Sequence, residues 1–295
     1  MPTVLFSTMW NSRVKYKKGI YMKKAVFVTG ATVGTGLATA RRFAKEGYDV
    51  FIQSRDAARA QAAADEISKE FGVFAKGYGI VPGNEKDVLD VFEDIDSLGR
   101  IVKTVVLNAA NMGFGNDPVK GMPFFEVPVE EFADVFNTNL VWNFTIVRAA
   151  ARRMKDNGGG AIVFISSNTA YRAIPNRSAY CASKGGINAM SKAFAIDLGP
   201  YGIRSNVVLP GTIKTERWVQ MGSKQIVNGT LTPIGDISDF EDIANAAWFL
   251  GSDESKHVTG AEIMVDGGMS SQLYPQALNE YKRKAMAYDE INSDN

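Results

Sequence analysis

Tyr180-Cys181-Ala182-Ser183-Lys184 lies thirteen residues after Ser167 and well downstream of Thr29-Gly30-Ala31-Thr32-Val33-Gly34-Thr35-Gly36. A Tyr and a Lys four apart share one helical face, so the ammonium sits beside the phenol and favours its anionic form. Free tyrosine, with a pKa of about 10, is otherwise a poor base near neutrality. A lone Tyr-x-x-x-Lys is most often ordinary helix surface. The spacing to Ser167 and the presence of the glycine loop turn this pair toward hydride chemistry.

Gly30, Gly34 and Gly36 let the chain turn tightly and bring its backbone close to a pyrophosphate at a helix N-terminus. Their spacing is Gly-x-x-x-Gly-x-Gly, not the Gly-x-Gly-x-x-Gly of the dinucleotide fingerprint. A glycine loop alone is weak evidence, but this one follows the apolar run Ala25-Val26-Phe27-Val28 and opens a helical stretch from Leu37 to Glu46, the context the motif needs.

The elements that must position these residues alternate. Strand-like runs occur at 25–28, 49–53, 104–107, 161–165, 205–209 and 262–265. Helical stretches lie between them, including an Ala-rich one ending near Phe71 and others at 129–155, 180–198 and 240–250. Such alternation requires crossover helices and therefore a parallel sheet. The expected fold is α/β, a Rossmann-type doubly wound parallel sheet of about seven strands with helices on both faces, in a single domain. Its ligands bind beyond the carboxyl ends of the strands, where the strand order switches.

A chain of 295 residues with 45% apolar content is ample for such a core. A net charge of +1 gives no electrostatic argument for nucleic acid. Cys181, the single cysteine, excludes an intrachain disulfide framework and fits a reducing cytoplasm. Packing is the more natural role for that thiol, given its helical neighbours. His257, the single histidine, makes His-based catalysis or a zinc cluster improbable. No stretch has the apolar length of a membrane span. Residues 1–23 form a basic extension whose charge follows its apolar run, the reverse of a signal peptide. It reads as an arm on the enzyme's own body or as an extension preceding a start at Met22; its apolar face is short for a helix lying on a membrane.

With the glycine loop, Asn139, Ser167, Tyr180 and Lys184 in this order, residues 24–268 resemble the short-chain dehydrogenase/reductase family. The resemblance implies that Tyr180 protonates the nascent alkoxide in carbonyl reduction and acts as base in the reverse direction. Ser167 would polarise the carbonyl, a modest form of oxyanion stabilisation. Lys184 would hold the nicotinamide ribose and lower the pKa of Tyr180, and Asn139 would hold a water that relays the proton. Thr32, Val33, Asn108 and Ala109 join the glycines as implied cofactor contacts. Pro210-Gly211-Thr212-Ile213-Lys214-Thr215 resembles the nicotinamide turn, with Ile213 and Thr215 at its contacting positions.

The chain departs from the family pattern at two places. Leu107-Asn108-Ala109-Ala110 stands where the family has Asn-Asn-Ala-Gly, and 79–84 lacks the acid that commonly lies near the adenine. Cofactor choice rests on Ser54 and Arg55: no acid occupies the end of the second strand, Arg55 suits a 2'-phosphate and Ser54 has a proton to donate. The expectation is NADP(H) or NAD(H), leaning toward NADP(H).

Met112, Phe114, Tyr171, Trp218 and Met221 are the candidate substrate contacts, mostly apolar or aromatic. They point to a bulky apolar ketone or secondary alcohol, and among relatives the chain looks nearest to bacterial hydroxysteroid dehydrogenases of the 20β type. Arg172, Arg177, Lys214 and Arg217 leave room for an acyl carrier or an acidic substrate. A 3-oxoacyl reductase and a polyol or sugar dehydrogenase are the alternatives, and a non-catalytic dinucleotide sensor is the rival from another class. Residues 212–237, with Trp218 and Met221, read as a mobile substrate lid, and 269–295 as a C-terminal tail. The family also implies a homo-oligomer, a tetramer or dimer, packed through the helices from Val129 and Tyr180.

Overall fold

Strand β1, Lys24–Thr29, is buried from Ala25 onward, as expected of a strand covered by helices on both sides. The computed structural model describes residues 23–113, 121–215 and 232–273. After β1 come α1 (Gly34–Lys45), β2 (Asp49–Ser54), α2 (Ala57–Phe71), β3 (Ala75–Gly79), α3 (Glu85–Ser97) and β4 (Ile101–Leu107). The second half holds α4 (Val129–Phe136), α5 (Trp142–Asp156), β5 (Gly160–Ile165), α6 (Ser178–Leu198), β6 (Ile203–Pro210), α7 (Phe240–Gly251) and β7 (Glu262–Val265). All neighbouring strands pair in parallel in the order β3-β2-β1-β4-β5-β6-β7. This is the expected seven-stranded doubly wound sheet, with its switch point between β1 and β4.

One apolar core lies on each face of the sheet. Phe27, Phe92, Trp142 and Phe164 mark one, and Phe43, Ile52, Ile67 and Trp248 the other. In the second core Phe43 of α1 meets Trp248 of α7 edge-on, with ring centroids 5.0 Å apart. Local signals set the helix ends. Asp56 caps α2 by accepting from the Arg59 amide at 3.1 Å, and Asp239 with Asp242 forms a capping box at α7.

Two elements differ from expectation. The first helix begins at Gly34, inside the glycine loop, instead of at Leu37. The stretch expected as one helix from 129 to 155 contains a π-helical turn at Asn137–Val141, within which Asn139 is buried. Two elements carried no expectation of their own. β3 is an edge strand with no buried residue, so it lacks an apolar run, whereas α3 buries Val88, Val91, Phe92 and Ile95 at plain helical spacing.

Candidate active site

The glycine loop is fastened at the switch point by residues that carry no phosphate-binding chemistry of their own. Thr29 Oγ accepts from the amides of Asn108 and Ala109, at 2.9 and 3.0 Å. Asn108 Nδ2 donates to the carbonyls of Thr29 and Gly30, each at 3.1 Å. Buried Gln53 accepts from the Gly30 amide at 3.3 Å and donates to the Ile80 carbonyl at 2.7 Å, tying the loop to the segment after β3. Gln53 and Thr29 were missed by sequence reasoning, because a polar residue ending a strand gives no signal until its partner strands are known.

The backbone at Ala110 does not demand a glycine: among the described residues outside glycine only Asn176 has a positive φ. Gly36 is different. A Cβ there would stand 2.4 Å from the Gly30 carbonyl oxygen and 2.6 Å from Asn108 Nδ2. Gly36→Ala is therefore expected to destabilise the protein by about 1–3 kcal/mol, the usual cost of overpacking, and to weaken dinucleotide binding together with it. Thermal melting with and without dinucleotide checks this; an unchanged melting temperature contradicts it.

Val33 occupies the N-cap of α1, supplies no side-chain cap and is 59% exposed, and the first turn holds no acid. The amides at this helix end thus have no side-chain acceptor, and an anion is the partner they fit. Thr32 is half-buried next to them. At the end of β2, Ser54 Oγ donates to the Asp56 carbonyl at 2.8 Å and accepts from its amide at 2.9 Å. Its proton is committed, which removes the expected donation from Ser54 to a 2'-phosphate in this arrangement. Arg55 is exposed and makes no hydrogen bond or ion pair among the described residues. The carboxylate of Asp56, one residue on, serves the α2 cap.

Ser167, 8% exposed, follows β5 and caps the short turn Asn168–Ala170, accepting from the Thr169 amide at 3.1 Å. Tyr180 and Lys184 lie on α6, with Lys184 Nζ 5.5 Å from the centre of the Tyr180 ring. The ammonium is buried and donates to the Ile165 carbonyl at 2.8 Å. Burial alone pushes Lys184 down to about 7. Ser166 Oγ donates to the Lys184 carbonyl at 3.1 Å, fixing α6 against the end of β5.

Asn139 is fully buried, and its side chain faces protein. Its Oδ1 accepts from the Asn111 amide at 2.7 Å, and its Nδ2 donates to the Asn111 carbonyl at 2.8 Å and to Ser183 Oγ at 2.9 Å. Asn143 Nδ2 donates to the Asn139 carbonyl at 2.8 Å. The amide group of Asn139 therefore clamps the β4 loop to α6, so any water would have to be held by its backbone carbonyl, through the remaining lone pair.

Pro210 ends β6 and Gly211, Ile213 and Thr215 follow it, with Ile213 bridging to Ser238. Tyr171 is 59% exposed and its hydroxyl donates to Glu262, whose carboxylate holds the phenol above its ordinary range. It is thus anchored to β7 instead of pointing freely at a substrate. Arg172 donates to the carbonyls of Met269 and Gln272, and Lys214 pairs with Asp236 at 2.7 Å, so neither is spare for an acidic substrate. Met112 is half-buried beside the β4 loop. Phe114, Arg217, Trp218 and Met221, and most of the expected lid, lie outside the described residues. A small cleft beside Tyr180 is lined by Met122, Val127, Glu131, Asn176, Arg177 and Ser178 among others; of these the sequence had singled out Arg177, as a cation that leaves room for an acidic substrate.

A phenol with a buried amine at its side, next to a helix end awaiting an anion at the switch point, has its use in hydride exchange with a nicotinamide dinucleotide. The class is a Rossmann-type oxidoreductase. The family profile described as enoyl-(acyl carrier protein) reductase matches residues 30–270. The L-rhamnose 1-dehydrogenase (NAD(P)(+)) of Azotobacter vinelandii is 35% identical over 264 residues, 86% of this chain and 99% of that enzyme. The NADP-dependent (R)-specific alcohol dehydrogenase of Lentilactobacillus kefiri is 35% identical over 260 residues, 84% of this chain and 97% of that enzyme. The solved gluconate 5-dehydrogenase of Burkholderia cenocepacia, in complex with NADP and tartrate, superimposes with a TM-score of 0.78 at 26% identity, covering 85% of this chain and 96% of that one. The chain belongs to the short-chain dehydrogenase/reductase family and is an NAD(P)-dependent oxidoreductase. None of these three proteins is a hydroxysteroid dehydrogenase, and that narrower resemblance has no support from them. Among the described residues no helix is long and apolar enough to cross a membrane.

Proposed function

We propose that the protein interconverts a secondary alcohol and its carbonyl compound on a small, polar, hydroxylated substrate of the sugar or polyol class. The observation that carries this is the likeness, over most of the chain, to enzymes named L-rhamnose 1-dehydrogenase and gluconate 5-dehydrogenase, whose substrates by name are of the sugar class. The nicotinamide, when bound, supplies or accepts the hydride. Tyr180 transfers the proton at the reacting oxygen, Ser167 donates a hydrogen bond to that oxygen, and Lys184 stabilises the negative charge as the phenolic proton leaves. Asn139 holds the β4 loop in place. Nicotinamide absorbance with sugars and polyols, 3-oxoacyl thioesters and steroids tests the proposal; turnover confined to steroids or thioesters overturns it.

NADP(H) is the preferred cofactor in this proposal, because Arg55 is exposed, unpaired among the described residues and at the end of β2. Arg55→Ala should weaken NADPH binding by about tenfold or more, the worth of a charge-assisted hydrogen bond of about 1.5–3 kcal/mol, and leave NADH binding nearly unchanged. Equal losses for both cofactors remove Arg55 from phosphate binding.

A homo-oligomer in the cytoplasm completes the proposal. Val129, Val141, Phe144 and Ile196 are 78%, 56%, 43% and 77% exposed on α4, the π-helical turn, α5 and α6, apolar area that a monomer leaves in water. Sedimentation showing a monomer over a wide concentration range contradicts it.

A further inference from the structure

The loop that carries Ser167 is tied to the segment 262–272 by side-chain hydrogen bonds. Arg172 Nη1 donates to the Met269 carbonyl at 2.7 Å and Nη2 to the Gln272 carbonyl at 2.5 Å. Asn168 Nδ2 donates to Ser270 Oγ at 3.3 Å, and the Tyr171 hydroxyl donates to Glu262 on β7. Three residues within five of Ser167 thus bond to the segment 262–272. That segment is itself tightly wound: Asp266 accepts from the amides of Gly268 at 3.0 Å and Ser270 at 2.8 Å. It also abuts the nicotinamide turn, since a Cβ on Gly211 would stand 2.5 Å from the Asp266 Cβ.

The geometry points to the turn 266–272 as the part that sets Ser167 against the nicotinamide turn, with Arg172 as its clamp. Arg172 is a positioning residue: it reaches no reacting atom, and it acts by fixing the short turn that Ser167 caps. A guanidinium bridging two carbonyls makes two charge-assisted bonds from one rigid plane, which holds both backbones in fixed relation. Displacements near 1 Å at a carbonyl-binding hydroxyl cost heavily in rate while leaving a distant cofactor site unaffected. The inference rests on Ser167 serving the reacting carbonyl, as proposed above.

The test compares Arg172→Ala, Arg172→Lys and Ser270→Ala in the full chain. In Arg172→Ala the amides of 167–172 and of 266–272 should gain hydrogen exchange together, with no change in the rest of the sheet. Turnover should fall about tenfold, in line with a misplaced reacting group. The isotope effect with deuterated reduced nicotinamide should rise and dinucleotide affinity should hold. Arg172→Lys, able to reach one carbonyl, should recover part of the rate, and Ser270→Ala, which removes only one weaker bond, should give a smaller version of the same changes if Arg172→Ala does not fold. A purely structural role would lower the melting temperature without moving the isotope effect. Exchange that rises in one segment alone, or in neither, overturns the clamp, and so does coupled exchange with unaltered turnover and isotope effect. The exchange measurement needs no substrate: wild-type protein inactive on every substrate class overturns the proposed function, and the exchange result still decides the clamp.

Discussion

Tyr180→Phe should lower turnover by about 10² to 10⁴, the usual range for general acid/base catalysis, while dinucleotide affinity stays essentially unchanged. The ring itself keeps its half-buried place on α6, so the substitution removes one oxygen and little packing. Lys184 keeps its acceptor, the Ile165 carbonyl, and remains available to the ribose hydroxyls. What disappears is the proton at the reacting oxygen. Nicotinamide fluorescence titration reports binding and absorbance reports turnover; near-normal turnover in the variant would rule out Tyr180 as the acid/base and with it the role assigned to Lys184. Ser167→Ala is a less clean probe, because the hydroxyl also accepts from the Thr169 amide and its loss disturbs the turn as well as the chemistry.

How far the site was legible in the sequence depended on whether a residue acts through its own spacing or through partners distant in the chain. Tyr180 and Lys184 are one helical turn apart and could be paired from sequence alone. The strands β1, β2, β4, β5 and β6 were legible because burial on both faces makes them runs of apolar residues. β3 was not, since an edge strand of Ala-Lys-Gly-Tyr-Gly takes its conformation from pairing with β2 and buries nothing fully.

The same division separates the site residues. Arg172 looked like a spare cation for an acidic substrate until its carbonyl partners, about 100 positions away, came into view. Lys214 was misread for a like reason, its partner Asp236 lying across a segment that has no sequence signature of proximity. Ser54 was read as a phosphate donor because a hydroxyl beside an arginine suggests one, but a Ser two residues before a helix cap finds the backbone first. Asn139 was expected to hold a water, whereas its side chain binds the backbone of Asn111 from within a π-helical turn that no propensity announces.

Lys184→Met should abolish most turnover and yet make the dinucleotide-free protein more stable below neutral pH. The wild-type ammonium is 3% exposed, its one acceptor among the described residues is an uncharged carbonyl, and burial brings its pKa from 10.5 to about 7. Between about 7 and 10.5 the unfolded chain keeps a proton that the folded chain has released, so unfolding takes up protons and wild-type stability rises with pH through this window. Below about 7 both states are protonated and the whole cost of burying the cation is present. At about 1.4 kcal/mol per tenfold change in proton affinity, that cost is on the order of 3 to 5 kcal/mol. Methionine fills a similar volume without charge, but leaves the Ile165 carbonyl without this donor, a loss of about 1–3 kcal/mol. The two effects predict crossing curves: the variant melts higher at pH 6, and the wild type, with its amine neutral and its hydrogen bond kept, melts higher at pH 10. Thermal melts at several pH values without dinucleotide decide this, and a variant-to-wild-type difference that does not change with pH would mean that Lys184 is not held against its own desolvation. The cation is then an instance of stability given up for chemistry, since an apolar side chain at this place would serve the fold better at acidic pH and could not serve Tyr180 at all.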